Sequence, residues 1–205
     1  MRVTAETKAA TRQRILDAAR RLFAGNGFAA TTTRDITNAA GIAIGTLFSY
    51  FSTKEAILAC LAADASAAAQ LEFEETSGDA ESFEEELFAF VAVGLRKLKP
   101  LRRHLTVLTE TALCPLVAAT DSEAQSLRLA HLETIARLAK KHLGELPPMA
   151  LQLYWTLYTG VLMFWAADDS PKQEDTLALL DHSVAMFIGW LRRGGDSLTK
   201  ADGET

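Results

Sequence analysis

The chain has 205 residues, 49% of them hydrophobic, with only 5 prolines and 12 glycines. That length can bury a real core, and such sparse punctuation favours helices over many short strands. The net charge of −5 excludes a uniformly basic nucleic-acid binder.

The charge is unevenly placed. Residues 1–60 hold 8 Lys and Arg against 4 Asp and Glu, and residues 61–205 hold 13 against 22. A basic head on an acidic body is the asymmetry expected where one end meets phosphates. Cys60 and Cys114 form no CxxC pair and no disulfide framework, so they read as small core residues in a reducing compartment. The stretch 1–14 is polar and basic, without the apolar core of a signal peptide. A cytoplasmic location is the expectation.

The first periodic segment, about Thr11 to Ala24, places Ile15, Ala18, Ala19, Leu22 and Phe23 on one helix face before the stop signals Gly25 and Gly27. Thr32-x-x-Asp35 has the spacing of a capping box and predicts a short helix from Thr33 to Ala40, with Ile36, Ala39 and Ala40 inward. Gly41 ends it in a left-handed conformation. A second short helix runs from Ile44 to about Tyr50. Two short helices about a glycine turn make a helix-turn-helix.

Ser52-x-x-Glu55 is read as the cap of a long helix from about Thr53 to Glu75, and Thr76 to Ala80 as a polar linker. Ser82-x-x-Glu85 opens a helix ending before Pro100, and Glu84, Glu85 and Glu86 read as a solvated face. A helix from Leu101 to Ala112 precedes a loop at Pro115. Thr120-x-x-Glu123 caps a helix closing with Lys140, Lys141 and His142 before Gly144. Pro147-Pro148 opens the most apolar helix, to Ala167. Ser170-Pro171 starts the last, which ends at Arg192 to Gly195.

Taken whole, Thr11 to Leu58 reads TRQRILDAARRLFAGNGFAATTTRDITNAAGIAIGTLFSYFSTKEAIL. Many residues in one order closely resemble the N-terminal domain of TetR-family repressors: Ile15-Leu16, Ala18-Ala19, Leu22-Phe23, Gly27-Phe28, Thr31-Thr32, Ile36, Ala40-Gly41, Gly45-Thr46-Leu47, Tyr50-Phe51 and Lys54-Glu55. The resemblance implies an all-α fold of about nine helices. A three-helix helix-turn-helix DNA-binding domain would cover residues 9–69, with the helix-turn-helix itself at about 32–51. A helical bundle for effector binding and dimerisation would cover 70–195, with a disordered tail at 196–205.

By the same resemblance the second short helix enters the major groove, and DNA contact falls to Thr33, Arg34, Ala43, Ile44, Gly45, Thr46, Ser49, Tyr50 and Lys54. The residues alone agree with that assignment. Gly45 lets a backbone press on a groove wall, Thr46 and Ser49 offer small hydroxyls, and Lys54 supplies a cation. Ile15, Ile36, Leu47 and Phe51 are the core behind them. Two departures from the family pattern stand out: many members have a tyrosine where this chain has Phe48, and a polar or basic residue where it has Ile44. Ala43 and Ile44 can touch only thymine methyls or sugar, so hydrogen-bond readout is expected to be thin and Arg34, Thr33, Tyr50 and DNA shape to count for more.

Met149 to Ala167 carries no charge, yet Gln152, Thr156 and Thr159 interrupt it and no basic anchor flanks it. It is read as a helix buried on both sides rather than as a membrane span. In a TetR-like dimer the last two helices do this, which implies Gly160, Phe164, Leu180, Val184 and Phe187 as interface residues. Family members usually bind a small molecule in the body, so Phe88, Trp155, Tyr158 and Leu162 are the expected ligand contacts, with the alanine run Ala62 to Ala69 leaving room. His104, His131, His142 and His182 show no metal-ligand spacing, and no cofactor is expected.

The function implied is a homodimeric repressor that binds a palindromic operator in double-stranded DNA and is released by a small-molecule effector. The alternatives are an activator, a family member without an effector or, more remotely, a helical ligand-binding protein or an enzyme. No catalytic motif in a recognisable context supports an enzyme.

Overall fold

The computed structural model describes residues 4–76, 81–110 and 122–198. Nine α-helices appear among them and no strand, so the all-α expectation holds. Cys114, the loop at Pro115, the expected cap at Thr120 and the tail beyond 198 lie outside the described residues.

The head comprises α1 (Ala5–Asn26), α2 (Thr33–Ala40) and α3 (Ile44–Tyr50). Helix α1 starts earlier than its apolar period suggests, because the Thr4 side chain accepts from the Thr7 amide. Its inner face buries Ile15, Leu16, Ala18, Ala19 and Phe23. Helix α4 (Lys54–Thr76) leaves the head and becomes the central helix of the body. Its cap is one residue later than the spacing implied: the Thr53 hydroxyl, not Ser52, accepts the Ala56 amide at 3.0 Å. By length and composition α4 could cross a membrane, but half of its most apolar window is buried inside the fold, as in a core helix.

The body continues with α5 (Phe83–Leu98), a 3₁₀ segment (Lys99–His104), the single turn α6 (Leu105–Leu108), α7 (Ser122–His142), α8 (Pro148–Ala167) and α9 (Glu174–Leu198). The helix expected from Leu101 is therefore tight 3₁₀ at first; Pro100 near its start cannot donate the backbone bond that would continue α5. Arg102 fixes this segment by donating to the carbonyls of Trp165 and Asp168 at the end of α8. Helix α9 runs on through Gly194 and Gly195 rather than stopping there. The Asp168 carboxylate anchors the α8–α9 connection by accepting from the Ser170 amide and from the amide and hydroxyl of Thr176, bonds that hold its pKa below the usual carboxylate range.

Two expectations about faces fail. In α2 it is Thr37, not Ala39, that turns inward with Ile36 and Ala40; its hydroxyl donates to the Arg34 carbonyl at 2.9 Å. In α5, Glu86 is not solvated. It is 2% exposed, ion-paired to Lys141 and hydrogen-bonded to the His142 imidazole in the last turn of α7. Phe83, Glu86, Leu87 and Phe90 share the inner stripe of α5 at helical spacing, so burial of this carboxylate follows from its register, and the Lys141 charge with the His142 hydrogen bond offsets its desolvation.

Candidate DNA-reading face and effector cavity

The turn between α2 and α3 is built locally. Thr32 and Asp35 form both halves of the capping box, and Gly41 has φ 64° and ψ 44°, a conformation that costs a side chain dearly. Helix α3 then turns one buried residue, Leu47, into the head and leaves the rest of its surface outward.

On that surface Ala43, Ile44, Gly45 and Ser49 are exposed, as is Arg34 on α2; Thr33, Thr46, Tyr50 and Lys54 are half-buried. A Cβ added at Gly45 would meet nothing within 4 Å, so no contact inside the protein requires glycine there. Ser49 donates its hydroxyl hydrogen to the Thr46 carbonyl at 2.7 Å. Phe48, which the sequence reading treated only as a missing tyrosine, is 51% exposed on the same face.

Lys54 departs most from a simple phosphate contact. Its ammonium donates to the carbonyls of Phe28 at 2.7 Å and Thr31 at 2.9 Å, and lies 4.2 Å from the Phe28 ring centroid. The side chain therefore clasps the start of α4 to the loop between α1 and α2.

Behind the head, α1, α4, α5 and α7 line a cavity of about 360 Å³, within the range of small-molecule sites and open to solvent past Asp64, Ala67, Ser126 and Ala130. Arg12, Asp64, Gln70 and Ser126 supply polar groups to it, and Cys60, Phe90, Leu127 and His131 supply much of the remaining wall. Arg12 belongs to the head, yet its guanidinium meets Cys60 Sγ at 2.6 Å and lies 5.6 Å from the ring centroid of Phe51, the residue that closes α3.

His131 stands between this cavity and a narrower apolar space of about 20 Å³, roughly one water, lined by Leu98, Leu105, Leu108, Trp155, Tyr158 and Leu162 among others. The imidazole stacks on Tyr158 with centroids 4.3 Å apart, and its Nε2 meets the Tyr154 hydroxyl at 2.8 Å. Desolvation by these rings pushes the pKa of the half-buried His131 down to about 3, so the ring is neutral at ordinary pH.

Of the expected ligand contacts, Trp155, Tyr158 and Leu162 come together on the narrow space. Phe88 is half-buried and lines neither space; Phe90, two residues on, faces the larger one. The sequence reading missed Arg12 and His131. Tyr154 and Tyr158, four apart on one helix face, were the signal that a polar group would sit opposite.

Of the expected interface residues, Gly160 and Phe164 lie on the exposed face of α8 beside Met163. Leu180, Val184 and Phe187 do not face outward. They are 3%, 5% and 1% exposed and line an interior space against α5 and α8. The exposed large apolar side chains of α9 are Leu177 and, on the opposite side of the helix, Met186. Among the described residues no cluster of three or more His, Cys, Asp or Glu could hold a metal ion.

A capped helix-turn-helix in front of a helical body is a layout used by DNA-binding regulators. Residues 15–61 match the family model described as bacterial regulatory proteins, tetR family. The chain is 47% identical over 51 residues to the HTH-type transcriptional repressor KstR2 of Rhodococcus jostii (strain RHA1); the match spans a quarter of each chain. The fold resembles FadR of Thermus thermophilus, a TetR-family repressor solved with lauroyl-CoA, at TM-score 0.68 and 24% identity over 86% of this chain and 93% of that one. It also resembles FadR of Bacillus subtilis, solved with stearoyl-CoA, at TM-score 0.59 and 20% identity over 85% and 96%. The head thus carries the TetR-family sequence pattern, and the chain shares the fold of these solved proteins.

Proposed function

We propose that this protein is a cytoplasmic, homodimeric transcriptional repressor that binds a palindromic operator and is released by a small-molecule effector. The observation that carries the reading is Arg12, which lines the 360 Å³ cavity and reaches the residue that closes α3. An occupant that displaces Arg12 acts on the reading helix directly, and one that favours a different placement of the heads weakens DNA binding by linkage. Thr33, Arg34, Ala43, Ile44, Gly45, Thr46, Ser49 and Tyr50 form the contact surface, with Lys54 as a clasp behind it. The domain limits 9–69 and 70–195 belong to the same reading, with α4 shared between them.

Pairing through α8 and α9 is supported by the exposed apolar side chains Met163, Phe164, Leu177 and Met186. Two heads so paired would present α3 to successive major grooves, about 34–36 Å apart or a multiple of that. The effector reading is an acyl-CoA thioester or a similar amphipathic molecule. Its support is the cavity's pairing of polar groups with an apolar wall, together with the acyl-CoA bound by two proteins of the same fold.

The test is selection of genomic fragments by the purified chain over a salt series, followed by titration of the winning fragment with acyl-CoAs of increasing chain length. Recovery of a palindrome with steeply salt-dependent affinity that an acyl-CoA abolishes supports the whole reading. Specific binding that no acyl-CoA alters removes this effector class. Failure of a folded, ligand-stripped dimer to select any sequence removes the regulator.

A further inference from the structure

We infer that α3 reads its operator chiefly through thymine 5-methyl groups, using Ile44 and Phe48. The inference rests on the DNA-binding reading above and names the base chemistry recognised by that surface.

From Ala43 to Phe51 the chain reads AIGTLFSYF, without an amide, carboxylate, guanidinium, ammonium or imidazole. Those are the groups that make paired hydrogen bonds to guanine, adenine or cytosine edges. The hydroxyls that remain are constrained. Ser49 has given its hydrogen to the Thr46 carbonyl, and Thr46 and Tyr50 are half-buried. The nearest cation on α4, Lys54, has two backbone carbonyls as partners.

The two large side chains that α3 does expose are apolar: Ile44 at 47% and Phe48 at 51%. They are four residues apart and lie on one side of the helix. The major groove presents a single apolar feature, the thymine methyl. Only against it do an aliphatic and an aromatic side chain both leave water without stranding a polar base edge. The open Gly45 between them lets the helix approach closely enough for such contacts.

The test begins with selection from a random-sequence duplex library by the full chain. The winning duplex is then rebuilt with deoxyuridine for thymidine, which keeps the pairing and removes every 5-methyl group. Each contacted methyl is worth roughly fourfold in affinity, so several per dimer should make the deoxyuridine duplex at least about tenfold weaker at fixed salt. The double variant Ile44→Ala, Phe48→Ala should bind the two duplexes equally. Both side chains are exposed, and an unchanged melting temperature will show that the head remains folded.

Equal affinity of the unaltered protein for both duplexes would overturn the inference while leaving it a DNA-binding protein. So would a thymidine preference that persists in the double variant, since the methyl would then act through DNA shape. Selection of no duplex at all would overturn the DNA-binding reading and this inference with it.

Discussion

Head and body bury their residues to different ends. The head is closed: Ile15, Leu16, Ile36 and Leu47 are all 0% exposed, and Thr32, Asp35, Thr37, Ser49 and Lys54 spend hydrogen bonds on their own chain. The body is less tightly filled. It keeps a cleft of about 360 Å³ beside α4, which meets it with Cys60, Ala63, Ser66 and Ala67 as well as Asp64 and Gln70. A closed head keeps one surface fixed, while the body holds space along its central helix.

The largest expected effect tests the closed surface. Gly45→Leu has open space for its side chain within the protein, so the melting temperature should hold while operator affinity falls by more than about a hundredfold through groove-wall collision. Retained affinity in the folded variant would remove Gly45 from the contact surface.

Lys54→Met comes next. It keeps the apolar stem but deletes two charge-assisted bonds, so the chain should lose about 2 kcal/mol of stability. Because the ammonium is held on carbonyls, the slope of log affinity against log salt should change by less than one unit per half-site. A full unit of change with unaltered stability would make it a phosphate contact and not a clasp.

The body should be the more acid-sensitive region. His131 has its folded pKa near 3, below the ordinary histidine value, so the unfolded ring takes up a proton first as pH falls. Its contribution is complete above about pH 6.5 and is lost progressively on the way towards pH 3. Between pH 7.5 and 5.0 this costs about 1–2 kcal/mol, which His131→Gln should remove from the difference in unfolding free energy. His104, which ends the 3₁₀ segment against Phe23 and Phe28, has its pKa lowered by burial and acts in the same direction. An unchanged pH profile in His131→Gln would show that the ring is not buried neutral.

The smallest expected effect lies at the α5–α7 ion pair. Lys141→Met should cost about 1 kcal/mol or somewhat more by leaving the buried Glu86 carboxylate to His142 alone. Glu86→Gln should cost less, since the partner it releases is half-exposed. Denaturant midpoints that rank the pair the other way would mean the carboxylate is better hydrated than its burial implies.

The legibility of the two regions follows from the range of their interactions. The α2 cap, the left-handed Gly41 and the bounds of α3 are set by residues within a few positions, and the sequence shows them directly. The body turns on partners far apart in the chain. Glu86 sits in a run of three glutamates, and nothing nearby points to Lys141, 55 residues on. Helix α9 buries Leu180, Val184 and Phe187 and exposes Leu177 and Met186. Periodicity cannot tell which of its apolar residues pack inside the fold. The cavity likewise joins Arg12, Cys60 and His131 from three separate helices.

Helix α4 adds a mechanical consequence. It is 23 residues without glycine or proline, a stiff rod of about 35 Å, and its middle is surfaced by Ala59, Ala62, Ala63, Ala65, Ala67, Ala68 and Ala69. Methyl groups interlock little with their neighbours, so such a rod can tilt against them without bending. A tilt of roughly 5° about its midpoint would carry either end by about 1.5 Å, enough for a small shift beside the cavity to reach Lys54 and the loop it holds.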